Sequence, residues 1–492
     1  MTANPSHETA LHTAIRHATT ALWRDAGLPG DPAAAPAQLH LTGDGADYAS
    51  SFGVDVAGAA AVAATTLASA LVYPLRGAGG MPAATIDVAH ALAETTGYFT
   101  VDGHLPDIWA PISGLYACGA AVGQPGWVRI HANFEHHRDG VLQLLGLPLG
   151  PSATQQQVAH ALQAQTATDF EAKAAAHGLV VAAARTPEEW AAHPQSAAIA
   201  AQPLVQISAL DAERPAPPRP WPKPLDGRPL HGLRVLDLTR ILAGPVAART
   251  LAAQGAEVLM INGPGRPNID AIADTSRGKR SALLDLQAPD GKARFGALVQ
   301  DAHVLLQGYR PGALDALGWS PAQAALRRPG IVYASLSAYG RSGPWADRRG
   351  FDSLVQTASG INTAEAQAFG ETGQRVLPMQ ILDYCAGFLL AFGIQAALVR
   401  QATQGGSWHV QVSLARVAQW LVSLGRRRVS SGTPPGERVA RLAPYLESQA
   451  SGFGDLTAVR HSGILRGVSS AWLYPSVRPG TDAPAWPPLP PM

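Results

Sequence analysis

Three stretches carry side chains whose type and spacing could do chemistry. HANFEHHRDG, residues 131–140, offers His131, Glu135, His136 and His137 as metal ligands. A zinc site of the HExxH kind needs two histidines four apart on one helical face. The spacing here differs, and adjacent His136 and His137 point apart on a helix, so no metal is expected. GLRVLDLTRILAGP, residues 232–245, reads as a strand, a tight turn and a helix start. Such a turn grips a dinucleotide when it is built as GxGxxG and an acidic residue closes the next strand. The glycines are absent and the next strand ends at Asn262, which disfavours a nicotinamide-dependent oxidoreductase. Asp383 stands before an apolar, glycine-containing run, LDYCAGFLLAFGIQAAL (382–398), where an isolated aspartate reads as a helix N-cap.

The elements that must position these residues follow from the hydrophobic pattern. Strands at 232–238, 257–261, 280–286, 303–307 and 331–337 alternate with helices, the first helix having Pro245 at its start and Gly255 past its end. This rhythm predicts an α/β fold, a largely parallel sheet covered on both faces. Ligands in such sheets gather at the loops after the strand carboxyl ends. The chain before it lacks the rhythm. Residues 54–73 predict one or two alanine-rich helices, TGYFTVDG and GWVRIHANF short strands, and 137–145 and 153–177 more helix. The reading therefore divides the chain into an α+β segment, 1–212, and a proline-rich linker, 213–230. An α/β large domain follows at 231–428, then an extended tail at 429–492.

Composition bounds the function. With 492 residues, 47% hydrophobic and 15% charged, the chain can bury two or three cores. Lys plus Arg number 37 against 36 Asp plus Glu, so no basic field points to nucleic acid or a membrane as partner. Cys118 and Cys385 are the only cysteines, which supports neither a disulfide framework nor a thiolate zinc site. The first residues lack a basic start followed by an apolar run, so a soluble cytoplasmic protein is expected. The apolar run Tyr384–Val399 is short for a bilayer and closed by Arg400, which predicts a buried helix.

Four further stretches, in order and spacing, join the strand–turn–helix opening: RGKRSALLDL (277–286), GYRPGALDALG (308–318), YASLSAYGRSGPWADRRGFDSLVQTASG (333–360) and the Asp383 run. Together they resemble the class III coenzyme A transferase family, which includes formyl-CoA and carnitine CoA-transferases and alpha-methylacyl-CoA racemases. The resemblance implies a Rossmann-like large domain with a smaller α+β domain. It implies an enzyme that moves CoA from an acyl-CoA thioester to a carboxylic acid, without a metal. Asp383 would be the nucleophile, forming an aspartyl anhydride and then an aspartyl-CoA thioester. Leu242, Ala243, Arg266, Lys279, Arg310 and Tyr339 would contact CoA. A cytoplasmic homodimer is implied as well. Physically, a carboxylate at a helix N-terminus is held ionised by the free N–H groups and the dipole, ready to attack.

Departures narrow this. The racemase branch has a histidine where Phe351 stands, so two-sided proton exchange lacks one hand. Formyl-CoA transferases have a glutamine where Leu242 stands, so formate–oxalate exchange is not implied. Upstream, YFTVDG, WVRIHANF, VLQLLGLP and RTPEEW resemble in order the family's small domain, which normally follows the large one. Two arrangements account for that: a circular permutation, or a degenerate first half fused to a complete second. GAAVGQPGW (119–127) reads either as a plain turn or as a glycine loop covering the site. The alternatives to a transferase are a noncatalytic acyl-CoA-binding homologue and an acyl-CoA racemase or epimerase.

Overall fold

The computed structural model describes residues 9–29, 38–45, 48–211, 213, 215–219, 221, 227–429, 432, 433 and 435–488. Residues 214, 220 and 222–226 of the expected linker at 213–230 lie outside these bounds. A seven-stranded sheet organises the chain. Its strands are β1 (Gln206–Ala209), β2 (Arg234–Leu238), β3 (Glu257–Asn262), β4 (Lys279–Leu283), β5 (Val304–Gln307), β6 (Val332–Ser337) and β7 (Trp408–Ser413). They lie in the order β4-β3-β2-β5-β6-β7-β1. All neighbours are parallel except β7 and β1, which pair antiparallel. β2 is buried at every position, as the continuous apolar pattern predicted for a sheet covered on both faces.

Four helices matter for the site: α1 (Val54–Leu75), α2 (Ala243–Ala253), α3 (Asp352–Ala358) and α4 (Ile381–Gln404). α4 is apolar around its circumference and is buried against α1, α2 and β7. α1 and α4 are each long and apolar enough to cross a membrane, and both lie inside the fold. Alanines along α1 keep the approach close. The few polar groups there are satisfied: Thr65 Oγ1 donates to the Phe388 carbonyl at 2.7 Å, and Ser69 Oγ to Gln395 Oε1 at 2.5 Å. Gly387 permits the α4–α2 crossing, since a Cβ there would meet the Ala243 carbonyl oxygen at 2.6 Å and Val246 Cβ at 2.8 Å. Gly387→Ala is expected to cost about 1–3 kcal/mol in urea unfolding through overpacking.

Two expected divisions of the chain do not match the packing. The first 212 residues are not one separate unit: α1 packs on α4 and β1 is the sheet's last strand, while residues from Ile112 to Val181 keep a core of their own. Sequence patterns show each element's apolar face but not which face it meets. The stretch 429–492 is not a plain extended tail either. Leu446–Ser451 and Gly454–Val459 form a hairpin that pairs with Phe99–Val101, and Ile464–Leu465 pairs with Ala84–Asp87. Alternating Leu456 and Ala458 mark the buried hairpin face, a short signal beside the prolines that follow.

A buried charge network ties these parts together. Arg249 on α2 pairs with Glu94 at 3.1 Å and with Asp274. Arg277 pairs with Asp274 and, at 3.1 Å, with Glu447 of the hairpin. Ser462 donates its N–H and Oγ to Glu94 Oε2 at 2.8 and 2.7 Å, and His461 lies 3.3 Å from Glu94 Oε1. Burial alone would raise the Glu94 pKa, but His461, Arg249 and Ser462 outweigh it and hold the carboxyl below its usual range.

Candidate active site

The strand order reverses between β2 and β5, which makes the crevice beyond their carboxyl ends the ligand-binding position of the sheet. The loops there lie side by side, Gly308 facing Thr239 with 3.7 Å from its absent Cβ to Thr239 Cγ2. The loop after β2 is held under strain. Ile241 has φ +77°, a left-handed conformation that a β-branched residue avoids. Asp237 fixes its start, with Oδ1 accepting the Thr239 N–H at 2.9 Å. Lys279 Nζ donates to Asp237 Oδ2 at 2.8 Å and to the Pro245 carbonyl at 2.9 Å. Both charged side chains are fully buried. Lys279 is therefore not placed as a CoA ligand: its ammonium braces the turn between β2 and α2.

Four arginines converge on this crevice. Arg240 follows β2, Arg266 follows β3, Arg310 follows β5 and Arg349 precedes α3. Burial lowers the His136 pKa, and the charges of Arg349, Arg240 and Arg266 lower it further. Burial likewise lowers Arg349, with Arg310 adding to it. Burial pushes Tyr309 up, opposed by Arg240 and Arg266. The Arg240 guanidinium lies 5.8 Å from the Phe134 ring centroid. Arg349 Nη1 donates to the Gly178 carbonyl at 3.2 Å. Arg266 and Arg310 are exposed. Four like charges at one mouth suit a polyanion.

The carboxylates lie inward of that mouth. Asp383 sits in the first turn of α4 with 7% of its surface exposed, and its backbone N–H donates to Asp352 Oδ2 at 2.9 Å. Asp352 is fully buried and also accepts from Gln356 Nε2 at 2.5 Å. Burial, then the neighbouring Asp352 charge, raises the Asp383 pKa well above the usual range. Burial raises Asp352 to about 6, against the pull of its hydrogen bonds and Arg129. The expectation that the helix terminus keeps Asp383 ionised is thus reversed, because Asp352 occupies that terminus.

Between carboxylates and arginines runs the segment 129–137 of the N-terminal part. Arg129 faces Asp352, His131 stacks on Phe351 with ring centroids 4.0 Å apart, and Phe134 stacks on His136 at 5.9 Å. His131 is 5% exposed, and its Nδ1 has no partner. Burial, with His137 and Arg129 adding to it, lowers its pKa to about 3, so the ring is neutral. A histidine therefore does stand beside Phe351, supplied from elsewhere in the chain.

Of the residues read from sequence, Ala243 comes against α4, its carbonyl facing Gly387 one turn beyond Asp383. Arg266 and Arg310 join the mouth. Tyr339 does not: it is buried against Trp345 at 4.9 Å, under Gly350, and its carbonyl accepts from Gln195 Nε2 at 2.7 Å. Its ring supports the 350–352 turn from beneath. The glycine stretch 119–127 is a tight turn of the hairpin Gly114–Cys118 and Gly126–Ile130, at the end opposite His131. Arg240, Arg349, Asp352, Arg129 and His131 were missed as site residues. Arg240 is legible, since it stands two residues past a strand carboxyl end. Arg129 and His131 reach the site only through long-range packing.

Comparison with known proteins bears on this region. Residues 230–445 match the model of CoA-transferase family III. The family III match contains Asp352, Asp383 and all four arginines, and it leaves the 129–137 segment outside. Over 304 residues the chain is 31% identical to an acyl-CoA transferase of Gibberella moniliformis, covering 58% of this chain and 53% of that protein. Over 244 residues it is 31% identical to the succinate–glutarate CoA-transferase of Agrobacterium fabrum, covering 44% of this chain and 60% of that one. The crystal structure of Rv3272 from Mycobacterium tuberculosis aligns at 33% identity and TM-score 0.37, over 40% of this chain and 57% of that one. The chain spans about half the length of the curated relatives it matches.

Proposed function

We propose that the protein transfers CoA from an acyl-CoA thioester to a carboxylic acid through covalent intermediates on Asp383. One observation carries the reading. A buried carboxyl without a donor of its own lies inward of four converging arginines, at the switch point of a family III region. Once ionised, Asp383 would attack the thioester carbonyl, forming an anhydride and releasing CoA thiolate. The thiolate would attack the aspartyl carbonyl, freeing the acyl carboxylate and leaving an aspartyl-CoA thioester. The acceptor carboxylate would then attack that thioester to give a second anhydride, whose acyl carbonyl the released thiolate captures, regenerating Asp383. The arginines would hold the CoA phosphates, and the buried Arg129, His131 and Phe134 would exclude water from the intermediates.

A panel of acyl-CoA donors, succinyl-CoA and acetyl-CoA among them, against mono- and dicarboxylic acids tests this directly. Transfer of CoA with one product acyl-CoA per donor consumed supports it, and no transfer from any pair refutes it. For an active pair, Arg240→Ala and Arg310→Ala are each expected to raise the acyl-CoA KM about tenfold with kcat little changed, the effect shrinking in high salt. Unchanged KM in both would remove the arginines from the CoA site.

A further inference from the structure

We infer that Asp352 is a positioning residue that caps α4 from outside the helix and keeps the pair's one negative charge, so that Asp383 carries the proton in the resting protein. The inference rests on the reading of Asp383 as the nucleophile. The residue before α4, Gln380, makes no side-chain cap bond. Asp352 takes over that role from another helix: its carboxylate accepts the N–H of Asp383 at 2.9 Å, a backbone bond from Leu382, and the Gln356 amide at 2.5 Å. Those are the donors that would otherwise stabilise an ionised Asp383. Among the described residues no donor is directed at the Asp383 carboxyl itself, and its proton affinity is raised by burial and by Asp352.

The count of charges around the pair agrees. Arg129 on the strand Gly126–Ile130 is a cation acting on Asp352. On α4, Cys385 and Tyr384 are both pushed up by burial and stay neutral. His131, stacked on Phe351, is neutral because burial holds its pKa near about 3. The Arg129 guanidinium faces Asp352, and two like charges this close in a buried site do not both ionise readily. The carboxyl with the hydrogen-bond donors keeps the charge. Asp383 must then shed its proton before it can attack, which ties turnover to pH.

Asp352→Asn separates charge from geometry, because the Asn oxygen still accepts the Asp383 N–H. In the intact protein labelled with [4-13C]aspartate, the carboxyl resonance that vanishes in Asp383→Asn identifies Asp383. That resonance is expected to titrate well above the usual carboxylate range, and Asp352→Asn to move its midpoint down by at least about one pH unit. The acid limb of kcat/KM is expected to move down by the same amount. A midpoint unmoved by Asp352→Asn overturns the inference, whatever the variant does to stability. If the wild type transfers CoA between no pair of substrates, the CoA-transferase reading fails, and the carboxyl titration still decides whether Asp352 sets the state of Asp383.

Discussion

Asp383→Asn is expected to abolish CoA transfer, lowering kcat by at least about 10³-fold, while the protein stays folded. The amide has the carboxyl's size, retains the backbone N–H that bonds Asp352, and fits a first helical turn that is buried on all sides. It cannot form an anhydride. Stability should change in the opposite direction to activity. Asp352 and Asp383 both have native pKa values raised above their ordinary 3.8, so the folded state binds their protons more tightly than the unfolded chain. Their contribution to stability is therefore present in acid and is lost as pH rises through about 6 for Asp352 and beyond for Asp383. Removing one carboxyl relieves this. Asp383→Asn should melt at a higher temperature than the wild type above about pH 6, with the gap closing in acid. A variant that melts lower at pH 8 would mean that the pair is not a source of strain.

Arg249→Met is expected to destabilise the protein by about 3–5 kcal/mol, the typical cost of breaking a buried ion pair from one side. Arg249 is 1% exposed and is shared by Glu94 and Asp274, each in turn tied to other parts of the chain. Without it, Glu94 retains Ser462 and His461, and Asp274 retains Arg277. Two carboxylates then share less positive charge in a buried site. The loss should reach the segment 446–465 first, because Arg277–Glu447 and Glu94–Ser462 hold it against α2 and the N-terminal part. Urea unfolding measures the total, and proteolysis at 446–465 the local release. Neutralising the partners as well, with Glu94→Gln and Asp274→Asn, should recover much of the loss. A loss below about 1 kcal/mol in Arg249→Met would show the network to be dispensable.

The α/β region was legible because its strands are continuous apolar runs and Gly255 stands past the end of α2, although Pro245 is the third residue of that helix rather than its first. The sheet order then follows from pairing, and with it the crevice that Arg240 and Arg310 flank. What sequence spacing could not show is company in space. Lys279 in RGKRS looked like a phosphate ligand, yet Asp237, a strand residue 42 positions earlier, captures it. Asp383 looked like an ionised helix-terminal carboxylate, and Asp352, 31 positions earlier, takes the same N–H groups. The histidines of HANFEHHRDG looked like a failed metal motif. One of them stands beside Phe351 from more than two hundred residues upstream, a contact set by long-range packing.

The central claim is that Asp383 is acylated or thioesterified during turnover. Incubation of the intact protein with an active acyl-CoA, followed by borohydride and peptide mass spectrometry, tests it most directly. The prediction is reduction of the Asp383 side chain to the alcohol, in the wild type only, with hydroxylamine giving the hydroxamate at the same residue. Turnover without any modification at Asp383, or with the label on another residue, would contradict it.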